Sequence, residues 1–281
     1  MKILITGCTS YIGKYLINKF LEKKQHKLFG VSRSNPKIFN KMFTWHKHDL
    51  SRSPLKKIKD IDIIIHIAGA ALRSENNFEN YLKGNVFMAY NLGKTAESLR
   101  PKVIFYTSTR EVYGEILTKE LSEKNKIRNP IFYGQSKYMA EQVLSGFCKT
   151  ISLRLPAVLG KGTHGWISKV YKNMKINKKI NYVNCKFNNF IYVDDIFKII
   201  DNFIKKKIFI DDQFNVSCSN ITTSEKLLKI MKKRLNSNSK IIKQKKISNT
   251  YTISYRKLSK YFKTSTVEDT IFKFLKDMSH D

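Results

Sequence analysis

The amino-acid sequence predicts an α/β fold, a doubly wound parallel sheet followed by a small C-terminal α/β lobe. The chain opens on an apolar strand, a glycine-bearing turn and an amphipathic helix. Short apolar strands then alternate with helical periodicities to about residue 155, the rhythm of a parallel sheet covered on both faces. At 281 residues and 42% hydrophobic, the chain can bury a doubly wound domain over 1–160 and a lobe over 161–281, with helices of the lobe returning to the first core.

The first strand is Lys-Ile-Leu-Ile-Thr at residues 2–6. Gly7 permits the tight turn, Gly13 lets a helix over 11–22 pack close to the sheet, and the N–H groups around Tyr11 and Ile12 suit a pyrophosphate. This is the opening of a Rossmann-type unit. Strands follow near 27–32 and 61–67, a long helix across 78–99, a strand near 102–108, a helix near 135–148 and a strand near 150–155. After Gly160 the pattern loosens into a loop over 160–165, a helix near 166–174 and another over 196–205. Asp194 and Asp195 read as carboxylates at the positive end of that helix rather than as a metal site. Thr222-Thr223-Ser224-Glu225 reads as a helix start, and 267–278 as a terminal amphipathic helix.

Tyr133 and Lys137, four residues apart, share one face of a helix. A phenol with an ordinary pKa of about 10 becomes a usable acid/base when an ammonium and a cationic nicotinamide favour its phenolate. The bland alternative is a half-buried Tyr beside a solvated Lys; the N-terminal turn and the segment at 103–114 weigh against it. The strand in that segment ends in hydroxyl residues, and the C-terminal ends of strands carry the chemistry of open α/β sheets. Thr109 is placed to hydrogen-bond a substrate oxygen while Tyr133 moves the proton. Ser108 either joins it or caps the next turn.

Together these segments resemble the extended short-chain dehydrogenase/reductase superfamily, in particular its epimerase/dehydratase group of nucleotide-sugar epimerases, dehydratases and ketoreductases. His-Ile-Ala-Gly at 66–69, Asn85-Val86, Arg-Leu-Pro-Ala-Val-Leu-Gly at 154–160 and Phe-Ile-Tyr-Val-Asp-Asp at 190–195 extend the resemblance over most of the chain. It implies a catalytic triad of Thr109, Tyr133 and Lys137. It also implies a nicotinamide dinucleotide held by Gly7, Ser10, Tyr11, Ile12, Gly13, Ser32, Arg33, Asp49, Leu50, Ala68, Gly69 and Pro156, with Tyr133 and Lys137. A nucleotide-sugar substrate would meet Ser108, Arg110, Glu111, Ala157 and Asn188, and a homodimer is compatible with the group.

The departures from the family's pattern matter as much. Ser10 replaces the middle glycine of the turn and puts a Cβ where backbone approaches the pyrophosphate. Ser32-Arg33 stands where an acid would hold an NAD ribose, which favours NADP(H) over NAD(H) by reception of a 2′-phosphate; Arg33 as a plain surface cation is the alternative. Arg110-Glu111 replaces the Asp-Glu pair of the sugar dehydratases, leaving the acid half of that elimination without a carrier. Asn188 and Ala157 replace a frequent Arg and Asn of the substrate site, and Lys186, Lys245 or Lys246 are candidates for the missing charge.

The formal net charge is +31, from 53 basic and 22 acidic residues. Such a field attracts polyanions, but Lys spread along an Ile- and Asn-rich chain reads as compositional drift, and nucleic-acid binding is not expected. Cys8, Cys148, Cys185 and Cys218 show no metal-ligand or paired spacing and read as reduced thiols of a cytoplasmic protein. Cys8, in the cofactor turn, is either oxidation-sensitive or an inert small residue. No apolar run approaches the length of a membrane span, and strand 1 follows the first residue too closely for a signal peptide.

The expected activity is hydride transfer between a nicotinamide and a sugar carbon of a nucleotide sugar, in glycan precursor synthesis, with ketoreductase favoured over epimerase. The alternative is a non-catalytic dinucleotide sensor or RNA-associated protein on the same fold.

Overall fold

The computed structural model describes residues 1–56, 58–73, 77–163, 165–245 and 250–279. In chain order the elements are β1 (Lys2–Thr6), α1 (Tyr11–Lys23), β2 (Lys27–Ser32), β3 (Phe43–Lys47), β4 (Ile63–His66), α2 (Phe78–Tyr81), α3 (Met88–Leu99), β5 (Val103–Thr109), β6 (Glu120–Leu121), α4 (Phe132–Phe147), β7 (Thr150–Leu155) and β8 (Ala157–Leu159). They continue as α5 (Trp166–Lys175), β9 (Ile180–Tyr182), β10 (Lys186–Phe187), β11 (Phe190–Tyr192), α6 (Val193–Lys205), β12 (Asp212–Asn215), β13 (Thr222–Thr223), α7 (Ser224–Arg234), β14 (Ile241–Lys243), β15 (Thr252–Ile253), α8 (Arg256–Ser259) and α9 (Val267–Met278).

Two compact units divide the chain. Unit 1 is formed by Met1–Glu115, Lys126–Arg154 and Ile200–Phe214, and unit 2 by Ile116–Asn125, Leu155–Ile199 and Asn215–Asp281. The division is thus not a single cut at residue 160: the chain leaves unit 1 after Arg154, returns for 200–214, and lends 116–125 to unit 2.

Unit 1 carries a seven-stranded sheet of order β12-β7-β5-β4-β1-β2-β3. The pairs β1–β2, β2–β3, β1–β4 and β4–β5 are parallel. Strand order reverses between β1 and β4, and the crevice beyond their C-terminal ends is the binding position of doubly wound sheets. All seven residues of β5 and all six of β7 are buried, so the polar side chains they carry, Thr107, Ser108 and Thr109 of β5 and Thr150, Ser152 and Arg154 of β7, are enclosed with the apolar ones. Leu4, Ile64 and Ile104 of the sheet pack with Ala89, Leu92 and Ala96 of α3 and with Ala140 and Leu144 of α4.

The strand β3 was not expected. Phe-Thr-Trp-His-Lys sits on the sheet edge, mostly half-exposed, and lacks an apolar run to announce it. The long helix expected over 78–99 is also not uniform, since a π-helical stretch, Leu82–Phe87, separates α2 from α3.

Unit 2 is built from two-stranded ladders: β8–β11, β9–β14 and β6–β15 are parallel and β10–β13 antiparallel. Two of its helices start where expected, with Thr223 capping α7 at Lys226 N and Thr266 capping α9 at Asp269 N, whereas α6 begins three residues before the expected 196. Asp194 binds Lys198 at 2.7 Å, and Asp195 accepts from Ser265 N and Oγ at 3.1 and 2.9 Å. Among the described residues no acidic or thiol cluster could hold a metal ion, and no helix is long and apolar enough to cross a membrane.

Candidate active site

The first turn has the shape its glycines imply. Gly7 adopts φ +71°, and a Cβ there would lie 2.6 Å from Ala68 N. At Gly13 a Cβ would lie 2.3 Å from the Gly7 carbonyl oxygen. Ser10, expected to obstruct the turn, instead folds its hydroxyl back on it: Oγ donates to Gly7 O at 2.8 Å and accepts from Gly13 N at 3.1 Å as the N-cap of α1. Tyr11 and Ile12 open the helix directly after this cap.

A cleft of about 770 Å³ extends from this turn, lined by Gly7 and Ser10, by Ser32, Arg33, Asp49 and Leu50, and by Ala68 and Gly69. Eight of the sequence-predicted dinucleotide residues therefore meet at the switch point of the sheet. A backbone cradle that any Cβ would fill, at a helix N-terminus, fits a dinucleotide pyrophosphate.

Arg33, exposed, also lines the cleft, and Arg52, which the sequence reading missed, joins it. Burial raises the Asp49 carboxyl, but the Ser51 hydroxyl and amide and the Arg33 and Arg52 guanidiniums outweigh that and hold it below the usual range. Ser32 lies on the cleft as expected, with its hydroxyl already bonded. Its Oγ donates to Ser34 O at 2.6 Å, accepts from Trp45 Nε1 at 3.0 Å and contacts Cys8 Sγ at 2.9 Å, so this residue, 8% exposed on the cleft wall, has its hydroxyl engaged within the protein. Burial pushes the Cys8 thiol up, which disfavours the reactive thiolate.

The catalytic residues converge at the C-terminal end of β5. Thr109 ends the strand and caps the following 3-10 turn, accepting from Glu111 N at 3.2 Å; its side chain acts on the Tyr133 phenol, lowering its pKa against burial. Tyr133 lies in the first turn of α4, which approaches the β5 loop so closely that a Cβ on Gly134 would stand 2.1 Å from Glu111 O. Lys137 is one turn on, 5% exposed, and Nζ donates to Thr107 O at 2.7 Å, 4.2 Å above the Tyr106 ring.

The electrostatics differ from the sequence expectation. Desolvation pushes Tyr133 up to about 12, opposed by the Thr109 side chain, with Glu111 and Tyr81 adding to the rise. Lys137 is pushed down to about 7 by desolvation, Glu141 acting in the opposite direction. The ammonium thus does not lower the phenol here; it is spent on β5. His66, buried and pushed down to about 3 by desolvation and then by Lys137, is hydrogen-bonded through Nδ1 to Thr6 Oγ1 at 2.7 Å and stacks on Tyr106 at 5.4 Å.

Asn85 sits in the π-helical stretch, where such bulges often mark function. It accepts from Ala70 N at 2.9 Å and donates to Ser136 Oγ at 2.9 Å, bridging the strand-4 turn to α4. Glu141 anchors a second network: its carboxylate pairs with Arg154 through Nη2 at 2.7 Å and Nε at 3.1 Å, and Arg154 donates to Tyr113 OH at 2.9 Å. Ser108 belongs to this network, donating to Glu141 Oε1. Its assignment to substrate is therefore corrected, because the hydroxyl faces the interior. Sequence reading missed Asn85 and Glu141 as site residues, although Glu141 repeats the four-residue spacing of Tyr133 and Lys137. Arg110 pairs with Glu111 at 2.6 Å.

In unit 2, Asn188 is corrected as well. It is 3% exposed, accepts from Ile253 N at 2.8 Å and donates to Ile253 O at 2.8 Å, pinning β15. Ala157 is exposed and lines a small cleft of about 180 Å³ with Trp166, Phe187 and Asn189. Pro156 is buried between β7 and β8, Lys186 and Lys245 are exposed, and Lys246 lies outside the described residues.

Comparison with known proteins agrees with this geometry. Residues 3–217 match the model of the NAD dependent epimerase/dehydratase family. A dTDP-D-glucose 4,6-dehydratase of Dictyostelium discoideum is 29% identical over 82% of this chain and 62% of its own length, so the chain spans less than two thirds of that relative. A dTDP-4-dehydro-6-deoxyglucose reductase of Escherichia coli is 26% identical over 85% of this chain and 83% of its own. Among solved structures, UDP-glucuronic acid 4-epimerase from Bacillus cereus in complex with NAD superposes with a TM-score of 0.84 at 19% identity, covering 100% of this chain and 97% of that one. The turn, the cleft and the family match together place this chain in the NAD dependent epimerase/dehydratase family.

Proposed function

We propose that the chain is a nucleotide-sugar oxidoreductase working as a ketoreductase in glycan precursor synthesis. The observation that carries this reading is the Thr109–Tyr133 pair at the end of β5, with the Tyr133 phenol held near 12. A phenol that stays protonated at neutral pH is ready to donate to the stronger base formed when a ketone accepts hydride. Thr109 orients the same oxygen, and the closed packing of α4 on the β5 loop keeps both in place. Lys137, fixed on Thr107 O, provides a positive end to the site.

A bound nicotinamide dinucleotide supplies the hydride and, when oxidised, a cationic ring that favours the Tyr133 phenolate. Gly7, Ser10 and Gly13 would hold its pyrophosphate, and Ala68 and Gly69 would flank it. We read the preference as NADP(H), supported by Arg33 and Arg52 in the cleft lining. Dehydration ranks lower, since Arg110 replaces the usual acid and its partner Glu111 is engaged with it. Four free cysteines support a reducing, cytoplasmic setting.

The test is to denature freshly purified protein, identify any released dinucleotide by mass spectrometry, and titrate the emptied protein with NADPH and NADH. An empty site that prefers NADPH is expected. Retained NAD would favour an epimerase that recycles its cofactor, and binding of neither would overturn the enzymatic reading.

A further inference from the structure

Two long segments of unit 2 contain no acidic residue: residues 155–193 and residues 226–267. The fold brings them side by side. β9 pairs with β14, Ile180 N donates to Lys240 O at 2.8 Å, Ser237 Oγ donates to Met174 O at 2.7 Å and Asn238 N donates to Asn177 Oδ1 at 2.8 Å. The C-terminal end of α5 thereby adjoins the end of α7 and the strand β14.

This junction concentrates exposed cations, Lys175, Lys178, Lys179, Lys233, Lys240 and Lys243. Among the described residues none of the six forms an ion pair. Some lysines elsewhere are matched, as in Lys19–Glu22 at 2.7 Å, Lys94–Glu97 at 2.9 Å and Lys198–Asp194 at 2.7 Å. Glu225, whose carboxyl feels Lys243, is already bonded by Lys229 at 2.6 Å. Glu225 is thus the carboxylate beside this face, and it is already engaged, while two segments of 39 and 42 residues supply none.

Two aliphatic side chains stand exposed within this face, Ile176 at 61% and Ile242 at 37%. Stacking on bases calls for exposed aromatics, which single-stranded nucleic-acid sites use; aliphatic side chains ringed by lysine suit the headgroup and acyl boundary of an anionic bilayer. We propose that the α5–β14 face of unit 2 is a docking surface for anionic lipid membranes, with lysines on the headgroups and Ile176 and Ile242 at the boundary. The inference is independent of the oxidoreductase reading, because no residue of the dinucleotide cleft takes part.

The experiment is co-sedimentation of the full-length protein with phosphatidylcholine vesicles with and without phosphatidylglycerol. Binding to the anionic vesicles alone is expected, weakening as salt shortens the Debye length from about 10 Å at 0.1 M to about 3 Å at 1 M. The triple variant Lys178→Glu/Lys179→Glu/Lys243→Glu should lose about a hundredfold in vesicle affinity. The equal charge change at exposed lysines of unit 1, Lys24→Glu/Lys59→Glu/Lys149→Glu, should lose much less. Ile176→Ser should weaken binding without altering charge. Equal losses from both triple variants, no vesicle binding, or retention on poly(U) RNA in place of vesicles would each overturn the proposal.

Discussion

Lys137 Nζ donates to the main-chain oxygen of Thr107 at 2.7 Å, so the active-site ammonium is fixed by the strand beneath it and not by the phenol one turn away. Burial pushes its pKa down to about 7, and Glu141 is the group that pulls it back up. A lysine lowered in the folded state carries its charge at a stability penalty below about 7. That penalty fades as the pH rises from about 7 toward the ordinary value of about 10.5, where the unfolded chain also loses its proton.

Replacing the Glu141 charge should therefore move the Lys137 titration further down. In Glu141→Gln the basic limb of the kcat–pH profile should shift to lower pH. Arg154, left buried beside a neutral partner, should reduce stability by about 3–5 kcal/mol. A pH–rate series combined with urea unfolding separates the two effects, and an unshifted limb would remove Glu141 from the control of Lys137.

His66 makes a prediction about stability alone. Its folded pKa, lowered to about 3, means that the unfolded chain binds a proton that the folded chain refuses between about 6.5 and about 3. Stability should fall as pH drops through that window. His66→Asn should flatten this part of the urea-midpoint curve, whatever its own effect at neutral pH.

Ser108 and Thr109 are neighbours with opposite assignments. Ser108→Ala removes a partner of the buried Glu141 carboxylate and should lower stability by about 1–3 kcal/mol with KM unchanged. Thr109→Ala should lower kcat/KM by about a hundredfold with a smaller effect on unfolding. Steady-state kinetics and urea melts on the pair decide it.

Gly134→Ala would place a Cβ 2.1 Å from Glu111 O. The first turn of α4 must then move from the β5 loop, carrying Tyr133 with it. A loss of about 1–3 kcal/mol in stability and a fall in kcat are expected, measurable by thermal melting and turnover.

Much of unit 1 was legible in the sequence because its strands are apolar runs and its turn has positional glycines. The strand over 27–32 was read with its observed ends, and β5 was displaced by one residue. What escaped depends on distant partners. β3 has too little apolar content to read as a strand, and the π-helical stretch that aims Asn85 at Ala70 leaves no periodic trace. Ser32, Ser108 and Asn188 were assigned outward by position, yet each is held by groups from other elements: Trp45, Glu141 and Ile253. The pKa of Tyr133 was misjudged for the same reason. Its neighbour in sequence, Lys137, is turned to Thr107, while burial, which sequence spacing does not reveal, sets the phenol.

The most direct measurement is NADPH oxidation by the purified protein in the presence of a 4-keto-6-deoxy sugar nucleotide, beside Tyr133→Phe. The account predicts turnover by the parent chain and a loss of about 10²–10⁴-fold in the variant, with NADPH affinity retained. Equal turnover by both proteins, or none by the parent chain with any 4-keto nucleotide sugar, would contradict the assignment of Tyr133 as the proton donor of a ketoreductase.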